Sequence, residues 1–146
     1  MTVISLIPEV RSLVGDEDTT NYRYTDNVYR DRKIPAGIRR LNLNEYKRFV
    51  VSGSGDTAVI LPVPNDEEQT MMCLYAALCV LDGEITKAAH LAVTVSTPAG
   101  NTNMTNVSKE LREQRKAIME ELKIYKSENM TVKIAKEIDV SDDELI

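Results

Sequence analysis

From Glu67 onward, apolar residues recur at three- and four-residue intervals: Met71, Leu74, Leu78, Leu81, Ile85, Ala88, Ala89 and Ala92. This is the spacing of one helical face, and it predicts a helix running close to Val95. A helix that long can bury its apolar face only against other helices or a sheet, so it decides how the rest of the chain must pack. Gly83 and the small residues Ala76, Ala77, Ala88 and Ala89 would let a neighbouring helix approach closely. The pattern breaks at Thr97-Pro98-Ala99-Gly100-Asn101, and the polar loop continues to Asn106. A second long helix follows, with Val107, Leu111, Ile118, Leu122 and Tyr125 on one face and charged residues around the others. The long loop suits an antiparallel return.

The first residues carry another helical signal. Ser5, Leu6, Val10, Leu13 and Val14 fit a short amphipathic helix capped by Ser5, with Pro8 in its first turn and Gly15 as a left-handed stop. Thr25 and Asp26 form the expected cap of the next helix. That helix meets Ile34-Pro35 and Gly37. Pro35 lacks a backbone donor and disfavours helix at Lys33-Ile34, which predicts a kink or two shorter helices.

Between these helical regions, residues 46–51 and 57–63 are rich in β-branched and aromatic types and flank Ser52-Gly53-Ser54-Gly55-Asp56. That arrangement predicts a β-hairpin at about 46–63. Its tip, Ser52, Gly53, Ser54, Gly55 and Asp56, is expected to project and meet a neighbouring subunit or the next ring of an assembly. Pro62 and Pro64 end the second arm. Asn65-Asp66 followed by Glu67-Glu68 marks a helix N-terminus, with acids placed favourably against the dipole.

A chain of 146 residues with 42% hydrophobic content can build one core. The expected fold is therefore mainly α, a small antiparallel helical bundle with an inserted β-hairpin over residues 1–129. Residues 130–146 would form an extended C-terminal arm with an acidic tail. In the arm, Val132, Ile134 and Ile138 alternate with more polar positions, and residues 137–146 hold five acids and no base. Such a segment is either a frayed end or a strand that adds to a partner's sheet.

Net charge is −5, which argues against a basic nucleic-acid binder. Its distribution is uneven. Residues 22–48 hold eight cations (Arg23, Arg30, Arg32, Lys33, Arg39, Arg40, Lys47, Arg48) against Asp26, Asp31 and Glu45. Four of the six tyrosines lie among them. This is either an ordinary solvated helix face or a surface for a negative partner, an acidic neighbouring subunit or DNA. Arg30, Arg32, Lys33, Arg39 and Arg40 are its expected contributors.

Catalytic constellations are not recognisable. His90 has no second imidazole to complete a metal pair, and Cys73 and Cys79 lack zinc spacing and suit reduced, buried thiols. The glycine-rich turn lacks the G-K-[ST] ending of a phosphate loop. Asp142-Asp143 lies in a tail that cannot hold acid–base geometry. No catalytic, cofactor-binding or metal residue is assigned. The longest apolar stretch, 71–81, is half a membrane span, and no signal peptide pattern opens the chain, so the expectation is a soluble protein made in the cytoplasm.

The order L-I-P-E-V-R-S-L-V-G-D, then Y-R-Y-T-D, then two long amphipathic helices resembles the head-tail adaptor, or connector, proteins of tailed bacteriophages. Gly15-Asp16 and Tyr24-Thr25-Asp26 carry the match, and residues 4–129 follow the family in organisation. The second segment departs from it at Ile34-Pro35 and Gly37, where the family pattern runs as one unbroken helix. The resemblance implies a structural virion protein at the head–tail junction, made in the host cytoplasm. It implies a homo-oligomeric ring, commonly of twelve subunits, that docks on the portal protein and the next neck or tail protein around passing DNA. It also favours the arm reading for 130–146. The rival is a small regulatory DNA-binding protein, with a helix-turn-helix at about 24–43 and Pro35-Ala36-Gly37 as its turn. A net charge of −5 weakens that rival.

Overall fold

The computed structural model describes residues 1–94 and 107–128. The expected loop at 95–106 and arm at 130–146, with Val132, Ile134 and Ile138, lie outside the described residues. Within them the protein is a mainly helical bundle carrying one small antiparallel hairpin.

The chain enters as a 3-10 turn, Val3–Leu6, that runs into α1, Ile7–Val14. Ser5 therefore lies inside the first turn and is not a cap; its Oγ donates to the Thr2 carbonyl at 2.7 Å. Pro8 stands in the first turn of α1, where its missing donor costs nothing. Gly15 adopts φ 66°, its N–H bonding Ser12 O while Asp16 N–H reaches back to Arg11 O at 2.9 Å. This paired closure needs the left-handed residue that glycine supplies without strain.

The second helical segment has three parts: α2, Asp26–Val28; a π turn, Tyr29–Lys33; and α3, Ile34–Glu45. The expected kink or pair of shorter helices takes the form of a π turn between two α-helices, with Lys33 and Ile34 keeping right-handed helical angles. The π turn explains why. Ile34 N–H bonds Tyr29 O, a five-residue step that widens the helix one residue before the proline ring must fit. Pro35, Ala36 and Gly37 are consequently helical, which removes the turn that a helix-turn-helix would need.

Gly37 has a different purpose. A Cβ there would lie 2.5 Å from Ala76 N and 2.6 Å from its Cα, so α3 crosses the central helix with backbone nearly against backbone. Of the small residues expected to admit a neighbouring helix, Ala76 does so, whereas Gly83 meets only the flexible tip of Lys33.

α3 ends at Tyr46, whose φ is 53°. The expected first hairpin arm is thus shorter: β1 is Val50–Ser52, paired with β2, Val59–Leu61, in the register Val50↔Leu61, Val51↔Ile60 and Ser52↔Val59. The Asn42 amide fastens the hairpin to α3, donating to Phe49 O at 2.7 Å and accepting from Phe49 N at 3.0 Å. On the other side Ile60 N donates to Met1 O and Val3 N to Ala58 O, both at 2.9 Å.

α4, Asp66–Thr94, opens with reciprocal hydrogen bonds between Asn65 and Glu68, each side chain taking the other's backbone N–H. Its core-facing surface is wider than one stripe. Every residue from Met72 to Leu78 is buried, while Ala89 is exposed. Ala76 and Ala77, expected to admit a neighbouring helix, are both buried, and α3 crosses at Ala76. The last helix, 107–128, buries Leu111, Ile118 and Leu122, as expected, and leaves Val107 exposed. Arg115 bonds Asp82 and Lys126 lies 5.5 Å from the Tyr75 ring, so this helix runs antiparallel to α4. Gln114 also donates to Leu13 O at 3.2 Å, tying it to α1.

Candidate functional site

The residues that carried the family resemblance converge on one side chain that the sequence reading did not single out, Arg11. It is 5% exposed and projects from the inward side of α1. Its guanidinium donates to Asp16 Oδ2 at 2.7 Å, Asp16 O at 3.4 Å, Tyr24 O at 2.8 Å, and Asp26 Oδ1 from both Nη2 at 2.7 Å and Nε at 3.3 Å. Those five bonds use all five of its donors. Tyr22 and Tyr29 rings lie 3.7 and 4.6 Å from Arg11 Cζ.

Asp16, 3% exposed, also accepts from the Tyr29 hydroxyl at 2.8 Å and from Arg23 N at 2.7 Å. Burial, then the bond to Asp16, pushes the Tyr29 hydroxyl well above its ordinary value. Tyr24 is raised to about 12 by burial and by its bond to Glu84. Thr25 occupies the N-cap position of α2 but makes no side-chain cap; Asp26 is spent on Arg11. Every donor of Arg11 is therefore taken. The adjoining cavity of about 340 Å³, lined by Ile4, Ile7, Pro8, Arg11, Glu17, Tyr22 and Asp26, finds no free donor on Arg11.

The basic segment divides in the same way. Arg30 pairs with Asp31 and with Asp56 at the hairpin tip, and its basicity is raised by Asp31 first. Lys33 Nζ lies 5.0 Å over the Tyr24 ring, Arg40 bonds Asp82 at 2.8 Å, and Lys47 bonds Glu68 at 2.8 Å. Burial works to raise Asp82, but hydrogen bonds from Arg115 and Arg40 outweigh it and hold its carboxyl below the ordinary value. Arg32, Arg39 and Arg48 are exposed and form no ion pair among the described residues. Of the five expected cations, only Arg32 and Arg39 are left to face outward unpaired.

The hairpin tip is not a free projection. Ser52, Gly53, Ser54 and Asp56 are exposed, but a 3-10 turn, Gly55–Thr57, shapes the loop and the Arg30–Asp56 pair fastens it to the π turn. Gly53 and Gly55 take φ 87° and 63° to make that turn.

The surface that stands out is the corner where α3 ends and the hairpin begins. Tyr46 is 94% exposed, Leu43 80% and Val63 69%, and the cross-strand pair Val50–Leu61 is exposed as well. Arg39 and Arg48 border these residues in sequence. The alternation that produces this was available: Phe49 and Val51 point inward, so Arg48, Val50 and Ser52 point out. What hid it was the rule that strand-forming apolar residues belong to the core. A bulky residue with positive φ at full exposure is a costly choice for a helix terminus.

Cys73 is buried and its thiol is pushed up by burial, while Cys79 is half-buried where a buried thiol was expected; both are free. His90 is exposed. Among the described residues no group of three or more His, Cys, Asp or Glu is placed to hold a metal ion, and no helix is long and apolar enough to cross a membrane. No protein-family model, curated protein or solved structure matches this chain.

Proposed function

We propose that this protein is a ring-forming structural component of a tailed-phage virion, a head-tail adaptor that docks on the portal and links the DNA-filled head to the tail. The observation that carries the reading is the α3–hairpin junction, where Leu43 and Tyr46 at the end of α3 and Val50, Leu61 and Val63 on the hairpin are each exposed. Exposed apolar residues gathered in one region mark sites that another macromolecule covers. Arg32 and Arg39, unpaired among the described residues, provide positive charge on the same helical segment, suited to an acidic neighbouring subunit or to DNA in a ring lumen. The family resemblance in residues 4–129 supplies the remaining content: a ring, commonly of twelve subunits, that contacts the portal and the next neck or tail protein.

The test is mass measurement and negative-stain microscopy of the purified protein, alone and mixed with the portal protein of the same virion. A closed ring, or a collar on the portal, is the expected result. A particle that keeps the mass of one chain in both samples overturns the proposal.

A further inference from the structure

The cavity beside Arg11 joins an apolar side to an acidic one. Ile4, Ile7 and Pro8 line it from the entry turn and α1, while Glu17, Tyr22 and Asp26 bring oxygen atoms to it from the segment that leads into α2. Its volume of about 340 Å³ lies at the small end of ligand pockets, which run roughly 300–1,000 Å³.

The carboxylates of this lining have capacity to spare. Glu17 is exposed and forms no ion pair among the described residues. Both Arg11 bonds to Asp26 end on Oδ1, which leaves Oδ2 of a side chain 63% exposed open to a further donor. The one cation in the lining, Arg11, has every donor taken, and buried Asp16 meets its charge at 2.7 Å. Arg23 points its Nη2 at the carbonyls of Val14 and Gly15 and takes no part in the lining. An anion would therefore meet two carboxylates and no vacant guanidinium donor. A neutral apolar ligand would strip water from Glu17 and Asp26 without replacing its hydrogen bonds. A cation on an apolar stem suits both sides: its N–H groups donate to Glu17 and Asp26, and its stem lies on Ile4, Ile7 and Pro8. The Tyr22 ring is a wall that attracts cations, as Arg11 Cζ 3.7 Å from its centroid already shows.

We propose that this cavity binds an organic cation, a guanidinium or ammonium group on a short aliphatic stem. Two sources carry that chemistry, a free amine and the arginine or lysine side chain of another protein. The site depends neither on the α3–hairpin corner nor on the adaptor reading.

The experiment uses the full chain with isotope-labelled isoleucine methyl groups, followed by NMR during titration with n-butylguanidinium and, separately, with butyrate, a similar stem ending in a carboxylate. Saturable shifts of the Ile4 and Ile7 methyls are expected with butylguanidinium alone, while Ile38 and Ile118, which do not line the cavity, stay in place. Glu17→Gln changes an exposed side chain, and its methyl spectrum reports that the fold is kept; affinity in this variant should fall several-fold. It should fall likewise at 1 M salt, where charge attraction is screened within about 3 Å. A further titration with Nα-acetylarginine N-methylamide separates the sources. Tighter binding than butylguanidinium assigns the site to a protein side chain, and weaker binding assigns it to a free amine. No saturation at Ile4 and Ile7, an equal response to butyrate, or an affinity unchanged in Glu17→Gln overturns the inference. The adaptor reading survives any of those results, since it is decided by ring or collar formation.

Discussion

Two regions of this molecule reverse the usual placement of polar and apolar groups, and they do so with opposite consequences. At the junction of α1 and α2, Arg11 and Asp16 are buried, and every guanidinium donor has an acceptor inside the chain. At the α3–hairpin corner, large apolar side chains are exposed, and the described residues do not cover them. The first exception is completed internally and holds the fold together. On the adaptor reading proposed above, the second is the surface that a partner completes. A buried charge network thus points to architecture, while exposed apolar residues point to a partner.

The sharpest way to break this contrast is at Arg11. Arg11→Met removes the positive partner of buried Asp16, and should cost about 3–5 kcal/mol in chemical denaturation, as loss of one half of a buried pair does. A cost near that of a surface substitution would show that the network is not structural. Next in size is Gly37→Ala, which forces a methyl into the Ala76 backbone and should cost about 1–3 kcal/mol by overpacking. Gly83→Ala is its control. That position meets only the Lys33 amine at 3.3 Å, so alanine there should stabilise by up to about 1 kcal/mol through helix propensity. Equal effects at the two glycines would refute the crossing point.

Acid should act on the fold and not on the corner. In Glu45, burial works upward but is outweighed by bonds from Lys126 and Tyr75; in Asp82, it is outweighed by Arg115 and Arg40. Both carboxyls are held below their ordinary values of 4.5 and 3.8, so the unfolded chain takes up protons first. The stability they contribute is present above those values and is lost as pH falls through and below them. Melting temperature followed from about pH 6 to pH 2 should drop less steeply in Asp82→Asn than in the parent. The smallest expected effect on the fold is at Tyr46. Glycine accepts its left-handed angle freely, so Tyr46→Gly should leave stability unchanged or raise it by up to about 1 kcal/mol, while weakening association through the corner.

The helices were legible because their signals are local and redundant: Gly15 closes α1, Asn65 opens α4, and Leu111, Ile118 and Leu122 recur at helical spacing. What could not be read was set by packing across the chain. Pro35 predicts a break unless a π turn five residues long precedes it, and that turn has no sequence signature of its own. Gly37 looks like a loop residue until Ala76 is placed against it. The motifs Gly15-Asp16 and Tyr24-Thr25-Asp26 were visible, but their shared partner Arg11 sits within an apolar run as an apparent surface residue. The basic segment was legible as composition only. Its pairing with Asp56, Asp82 and Glu68, which together with the neighbouring Asp31 leaves Arg32, Arg39 and Arg48 unpaired among the described residues, depends on contacts distant in sequence.

The central claim is that the corner contributes to association and not to folding. A single double variant, Leu43→Ser/Val63→Ser, tests it when denaturation and assembly on portal are measured on the same preparation. The prediction is unfolding free energy within about 0.5 kcal/mol of the parent, as for exposed positions generally, together with loss of the ring or collar. A marked loss of stability, or assembly in full yield, would contradict it.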